Sequence, residues 1–136
     1  MNKKVTGGVA IINTNNKHLL IKQSTSKPLG GQWRHPGGSF GEGESAKEGI
    51  KREIKEEIGL KIKVLGNKPI YIEKIDYKPG YFGFYKASII GGKLKIDRRE
   101  IDDYGWFTIE EIKNLDLMKA TKSFYKKRSQ HWKKCG

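Results

Sequence analysis

Apolar residues in the first part of the chain come in short runs. Residues 4 to 12 (KVTGGVAII) and 18 to 22 (HLLIK) have strand length and strand composition, and the polar Asn13-Thr14-Asn15-Asn16 between them suits a hairpin-like turn. Residues 24 to 31 are polar and contain glycine, which predicts a loop. A short strand at 32 to 35 follows, closed by a turn at Pro36-Gly37-Gly38. The period then changes. Ala46, Ile50, Ile54 and Ile58 recur at four-residue steps, and at about 100° per residue they form one stripe with Glu48, Lys51 and Lys55 roughly opposite. Ser45 with Glu48 is a capping-box pattern and Gly59 a C-terminal stop, so a helix is predicted to start at Ser45 and end at Gly59. Strands are predicted at 61 to 64, 70 to 75 and 81 to 90, with turns at Gly66-Asn67, Pro79-Gly80 and Gly91-Gly92. A last short strand covers 104 to 107. Thr108 with Glu111 repeats the capping box and opens a helix to about Leu115, and a further helix covers about Lys119 to Lys127. Strands then helix, twice over, with the Ser45 helix in the middle, predict an α/β sandwich on a small mixed sheet.

The length of 136 residues fits one domain spanning residues 1–136, with roughly two thirds of its unfolded surface buried. No repeat or low-complexity linker divides it. No apolar run approaches the ~20 residues of a membrane span, and the amino terminus lacks a signal-peptide pattern, so a cytoplasmic location is expected. Cys135 is the only cysteine, which excludes an intramolecular disulfide.

Charge sharpens the picture. Against 28 Lys and Arg stand 15 Asp and Glu, a net charge of +13. The acids are not scattered. None precedes Glu42; Glu42, Glu44, Glu48, Glu53, Glu56 and Glu57 form one island, and Asp97, Glu100, Asp102 and Asp103 a second. A charge run on a helix is ordinarily a solvated face, but acids placed for solubility would not gather so. Glu53, Glu56 and Glu57 lie at i, i+3 and i+4 on a flank about 90° from the apolar stripe, and carboxylates that close repel unless a cation joins them. Hard oxygen ligands suit magnesium or manganese. Gly49 lies among these carboxylates at a cost of about 1 kcal/mol in helix propensity. It reads either as room kept for metal or substrate or as drift at a tolerant site.

Position by position, Gly38, Glu44, Arg52, Glu53, Ile54, Glu56, Glu57, Gly59 and Leu60 match a glycine, five residues, Glu, seven residues, then Arg-Glu-apolar-x-Glu-Glu-x-Gly-apolar. This stretch resembles the signature of the Nudix hydrolases. The resemblance implies a fold in which the motif helix packs on a small mixed sheet. It also implies a divalent-metal-dependent hydrolase that cleaves a diphosphate linkage in a nucleoside diphosphate derivative, first of all a (d)NTP, releasing a nucleotide and pyrophosphate or a phosphorylated group. The implied ligands of Mg2+ or Mn2+ are Glu53, Glu56, Glu57 and the backbone carbonyl of Gly38. Glu57, or alternatively Glu56 or Glu100, is the implied general base. Arg52 is expected to orient Glu53, and Glu44 to support Arg52 or a further metal. The segment Glu100-Ile-Asp-Asp-Tyr-Gly-Trp106-Phe107 looks like one in which, in many family members, a loop acid ahead of a Trp-Phe pair swings onto a metal or the attacking water. Glu100 fits best and Asp103 is the runner-up, with Trp106 and Phe107 as core aromatics.

Substrate choice stays open. Trp33 could stack on a base or fill the core. Tyr77 falls where dinucleoside polyphosphate hydrolases of the family tend to have a tyrosine, and position 76 is Asp where ADP-ribose hydrolysis is associated with Pro. The basic excess, dense in the acid-free first 41 residues and again from Lys119, would draw in a small nucleotide or RNA with a 5′ triphosphate. A lysine-rich proteome would produce it too. Phe124 and Tyr125 are expected to dock a terminal helix rather than bind nucleic acid, and a non-catalytic nucleotide- or nucleic-acid-binding module is the alternative to an enzyme. Monomer and homodimer are both compatible with the sequence.

Overall fold

The computed structural model of the chain describes residues 3–75 and 78–134, the side chains from 128 onward excepted. Eight strands form a mixed sheet: β1 (Val5–Thr14), β2 (Lys17–Gln23), β3 (Trp33–Arg34), β4 (Gly37–Ser39), β5 (Leu60–Val64), β6 (Tyr71–Lys74), β7 (Tyr81–Gly92) and β8 (Ile101–Phe107). Among the described residues three helices accompany them: α1 (Ala46–Ile58), α2 (Ile109–Ile112) and α3 (Lys119–Lys134). The central path runs β3-β2-β1-β7-β5, with β4 on β1, β6 on β7 and β8 on β2. The β1–β7 pair is parallel, with Val9 beside Phe84, and the other pairings are antiparallel.

The sheet separates two apolar layers because successive strand side chains point to opposite faces. Ala10, Ile12, Leu19 and Ile21 face α1, whose stripe of Ile50, Ile54 and Ile58 is fully buried. Val9, Ile11, Leu20 and Phe84 face the other way, under Ile112 of α2 and Phe124 and Tyr125 of α3. Cover on both faces explains why β1 reads as a continuous apolar run. The helix on one side and two on the other give the α/β sandwich expected from the sequence, and the terminal helix is docked through Phe124 and Tyr125.

The caps of α1 form as read: Ser45 accepts from the Glu48 amide, the Glu48 carboxylate returns to the Ser45 amide, and Gly59 takes the left-handed conformation at φ 74°. The Asn15-Asn16 turn also forms, with both residues at positive φ. Two glycine pairs read as turns lie instead in strands. Gly37 and Gly38 belong to β4, where a Cβ on Gly37 would stand 2.1 Å from the Gly8 carbonyl oxygen, so glycine here permits close backbone approach to β1. Gly91 and Gly92 continue β7, because pairing with Leu60 and Lys61 outweighs their turn propensity. Strand β8 starts at Ile101 rather than Tyr104, since Asp103 and Ile101 pair with Lys22 and Gln23 of β2 across a bulge at Asp102. The α2 helix ends at Ile112 rather than near Leu115, the chain continuing with the tighter bonds Asn114 N to Glu111 O and Leu115 N to Ile112 O. The last helix extends beyond the expected Lys127 to Lys134.

Candidate active site

The outer flank of α1 and the segment after β7 face each other. The backbone of that segment is bonded to the end of the helix, Lys95 N to Ile58 O at 2.9 Å and Asp97 N to Glu57 O at 2.8 Å. Asp97 then closes a turn by accepting from the amides of Glu100 and Ile101. The result is an open cavity of about 400 Å³ lined by Glu53, Glu56, Glu57, Asp97, Arg99 and Glu100. Both acidic islands therefore contribute walls to one space.

Each motif carboxylate is held from outside the cavity. Arg52 lies in a fork with Glu44, Nε to Oε2 at 2.7 Å and Nη2 to Oε1 at 2.9 Å, and reaches Glu53 and Glu56 through Nη1, both at 3.2 Å. Its Nη2 also donates to the Ser39 carbonyl. The Arg52 bonds, with a further one from the Gly41 amide, hold the Glu44 carboxyl down at about 2, so it is ionised at any working pH. Glu57 is nearly buried. Its Oε1 accepts from the Gly37 amide at 3.0 Å and its Oε2 from Arg34 Nη2 at 2.8 Å. Arg34 is itself fixed by Gln23 and by the carbonyls of His35 and Gly37. Burial and then the charge of Glu57 raise the Glu53 carboxyl above its ordinary range. Glu100, on the facing turn, pairs with Lys27 at 3.0 Å. Arg99 binds the carboxylate of Asp97, which lowers that carboxyl.

Gly38 adjoins this cluster for a steric reason: a Cβ there would come 2.8 Å from the Glu53 carboxylate. Gly49 does not keep room for metal or substrate. Its missing Cβ makes way for the Phe40 ring, which would lie 2.4 Å from it, and for Glu44 at 3.0 Å. Trp33 stands outside the cavity, half-buried in the second apolar layer and edge-on to Phe107 at 5.1 Å. Phe107 lies in that same layer and Trp106 packs against the first, as the core aromatics expected. Asp103 lies on β8 opposite Lys22, exposed and bonded to the Tyr104 amide, so Glu100 rather than Asp103 reaches the cavity. Tyr77, with Asp76, lies outside the described residues.

Sequence reasoning missed Arg34, Asp97 and Arg99 as individual site residues. Asp97 carried a signal in belonging to the second acidic island. Arg34 carried none, because only the fold brings β3 beneath Glu57.

The family model of the NUDIX domain matches residues 1–128. The chain belongs to the Nudix family. A curated Nudix relative, the nucleoside triphosphatase NudI of Enterobacter sp. (strain 638), is 32% identical, over 82% of this chain and 87% of its own. Among solved structures, the MutT Nudix hydrolase of Burkholderia pseudomallei superposes with a TM-score of 0.74 at 25% identity, over 89% of this chain and 95% of that one. The MutT protein of Methanosarcina mazei Go1 superposes with a TM-score of 0.75 at 22% identity, over 96% and 97%, a likeness of fold alone. As a Nudix hydrolase the protein acts on phosphoanhydrides.

Nudix hydrolases generally use divalent metals, and the donors in this cavity suit them. The acids supply hard oxygens, the missing side chain at Gly38 lets the Glu53 carboxylate lie against the backbone there, and Glu53, raised first by burial and then by the charge of Glu57, would be relieved of the second by a cation. In the side-chain positions described, no three acids among the described residues stand close enough to grip one ion. Glu53 and Glu56 are turned onto Arg52, and Glu57 onto Arg34. No helix among the described residues is long and apolar enough to cross a membrane.

Proposed function

We propose that the protein is a nucleoside triphosphate pyrophosphohydrolase dependent on Mg2+ or Mn2+. The observation that carries this reading is the meeting of two acidic islands around one cavity in an otherwise basic molecule. The relatives named as nucleoside triphosphatases support the choice of substrate.

Glu53, Glu56, Glu57 and the Gly38 carbonyl would hold the metal, with Glu100 able to join from the facing turn. When bound, such a cation neutralises the diphosphate and lowers the pKa of the attacking water. Arg52, anchored by Glu44, positions Glu53 and Glu56 and keeps their charges from separating. Arg34 and the Gly37 amide do the same for Glu57, whose two oxygens are both engaged, and that suits a fixed ligand better than a proton acceptor. Glu100 is the better proton acceptor. Its side chain is 44% exposed and paired with a flexible lysine, so it can approach a water over the cavity.

Purified protein would be supplied with Mg2+ or Mn2+ and a panel of ribo- and deoxyribonucleoside triphosphates, dinucleoside polyphosphates and RNA bearing a 5′ triphosphate. The expected result is release of a nucleoside monophosphate and pyrophosphate from triphosphates, lowered at least about a hundredfold by Glu57→Gln. Absence of phosphate or pyrophosphate release across the panel, or an unchanged rate in the Gln variant, would overturn the reading. Salt-sensitive RNA affinity that survives the substitution would then identify a binding module.

A further inference from the structure

A second trough, of about 500 Å³, opens at the far end of α1 and shares Glu56 and Asp97 with the carboxylate cavity. Three lysines line it: Lys55 from the last turn of the helix, and Lys93 and Lys95 from the segment after β7. All three are exposed, and none has a carboxylate within ion-pairing distance among the described residues.

These lysines are not needed to cap the helix. The Lys55 carbonyl already accepts from the Gly59 amide, the Glu57 carbonyl from Asp97 and the Ile58 carbonyl from Lys95. Those same bonds fix the segment. Leu94 and Ile96 pack into the layer under α1, so Lys93, Lys95 and Asp97 alternate with them on the outer side. A row results in which Asp97 stands at the carboxylate cavity and Lys95 and Lys93 lead away from it. The backbone of this row approaches the helix end closely: a Cβ on Gly59 would stand 2.6 Å from the Lys93 carbonyl. The cationic groups are therefore mounted on a rigid base whose distance from Glu57 is set by main-chain bonds.

We infer that this trough is a subsite for the terminal phosphate of a nucleoside triphosphate whose scissile diphosphate lies in the carboxylate cavity. The inference rests on the triphosphate reading above and deepens it. A phosphate chain leaving a site built of carboxylates needs positive charge beyond them, and the trough holds lysines where the shared residues Glu56 and Asp97 end. A substrate joined only through a diphosphate, with an uncharged group in place of the third phosphate, gains nothing there.

The test uses the full chain with Lys93→Ala and Lys95→Ala combined, after melting curves establish that the variant is folded. Binding of inorganic tripolyphosphate with Mg2+ is followed by calorimetry, beside KM and kcat for a nucleoside triphosphate and for a sugar-linked nucleoside diphosphate. The expected result is about tenfold weaker tripolyphosphate binding, shrinking as salt is raised, as befits two exposed charges. KM for the triphosphate should rise by a similar factor with kcat unchanged and the diphosphate substrate unaffected, and Lys95→Arg with Lys93 retained should behave as the parent. Equal tripolyphosphate affinity in variant and parent, or equal losses for triphosphate and diphosphate ligands, would overturn the inference. Lysine-dependent tripolyphosphate binding by a protein that hydrolyses no nucleotide would uphold the subsite and overturn the function proposed above. Hydrolysis of triphosphates indifferent to the lysines would do the reverse.

Discussion

Replacing Arg34 with Ala removes the only side chain bonded to Glu57 among the described residues. Four bonds go with it: to Glu57 Oε2 at 2.8 Å, Gln23 Oε1 at 3.1 Å, and the carbonyls of His35 and Gly37 at 3.1 and 3.2 Å. The two charged side chains are only 16% and 9% exposed, so water replaces the lost partner poorly. Breaking a buried pair from one side costs about 3–5 kcal/mol, and the residual exposure places this one near 3 kcal/mol. That is a large part of the ~5–15 kcal/mol of a typical domain. Removing both charges is cheaper, because no uncompensated carboxylate remains. Urea unfolding at pH 7 in EDTA, of parent, Arg34→Ala, Glu57→Gln and the double variant, should give a coupling of about 2 kcal/mol. Arg34→Lys should fall between, since an ammonium cannot serve four acceptors held in the plane of a guanidinium. A single-variant loss below about 0.5 kcal/mol with no measurable coupling would refute the claim that Arg34 anchors Glu57.

Three further outcomes are expected. His18 is buried against the Tyr125 hydroxyl at 2.6 Å, and burial lowers its pKa to about 4; the unfolded chain therefore takes up a proton first on acidification. This contribution to stability is intact above about pH 6.5 and is lost progressively towards pH 4, by about 2 kcal/mol at pH 5. His35, lowered by burial and then by His18 and Arg34, acts in the same direction, so denaturant titrations at pH 7 and 5 should differ by at least that amount and by less in His18→Gln. Gly49→Ala should lower the melting temperature despite a gain of about 1 kcal/mol in helix propensity, because its Cβ meets the Phe40 ring, and Phe40→Ala in the same chain should restore part of the loss. Glu44→Gln should leave the fold intact but cut phosphoanhydride hydrolysis by roughly 10–100-fold, since it frees Arg52 rather than touching substrate.

The helix and its acidic flank could be read from spacing because both follow from local rules: caps at Ser45 and Gly59, and a stripe at Ile50, Ile54 and Ile58. Sheet pairing could not. The same glycine that reads as a turn residue at position 37 serves, beside Gly8, as the point where two strands can touch, and only the partner strand decides between them. Charge counting marked the acidic island from Asp97 to Asp103 without any knowledge of topology, but not that Asp97 and Glu100 would be its members lining the cavity. It could not find Arg34, whose role depends on a two-residue strand passing beneath Glu57, 23 positions later. Gly49 shows the opposite failure. Proximity to carboxylates along the sequence suggested space for a ligand, whereas an aromatic ring from the preceding loop fills it.

The parallel partnership of β1 and β7 bears on how the molecule comes into being. Strand β1 cannot find its parallel neighbour until the chain around Phe84 is available, and contacts so distant along the sequence slow folding. In the interval the apolar run of β1 lacks that partner. Between its hairpin with β2 and its later union with β7, β1 keeps one open edge, and it is there that a folding chain is open to association with its neighbours.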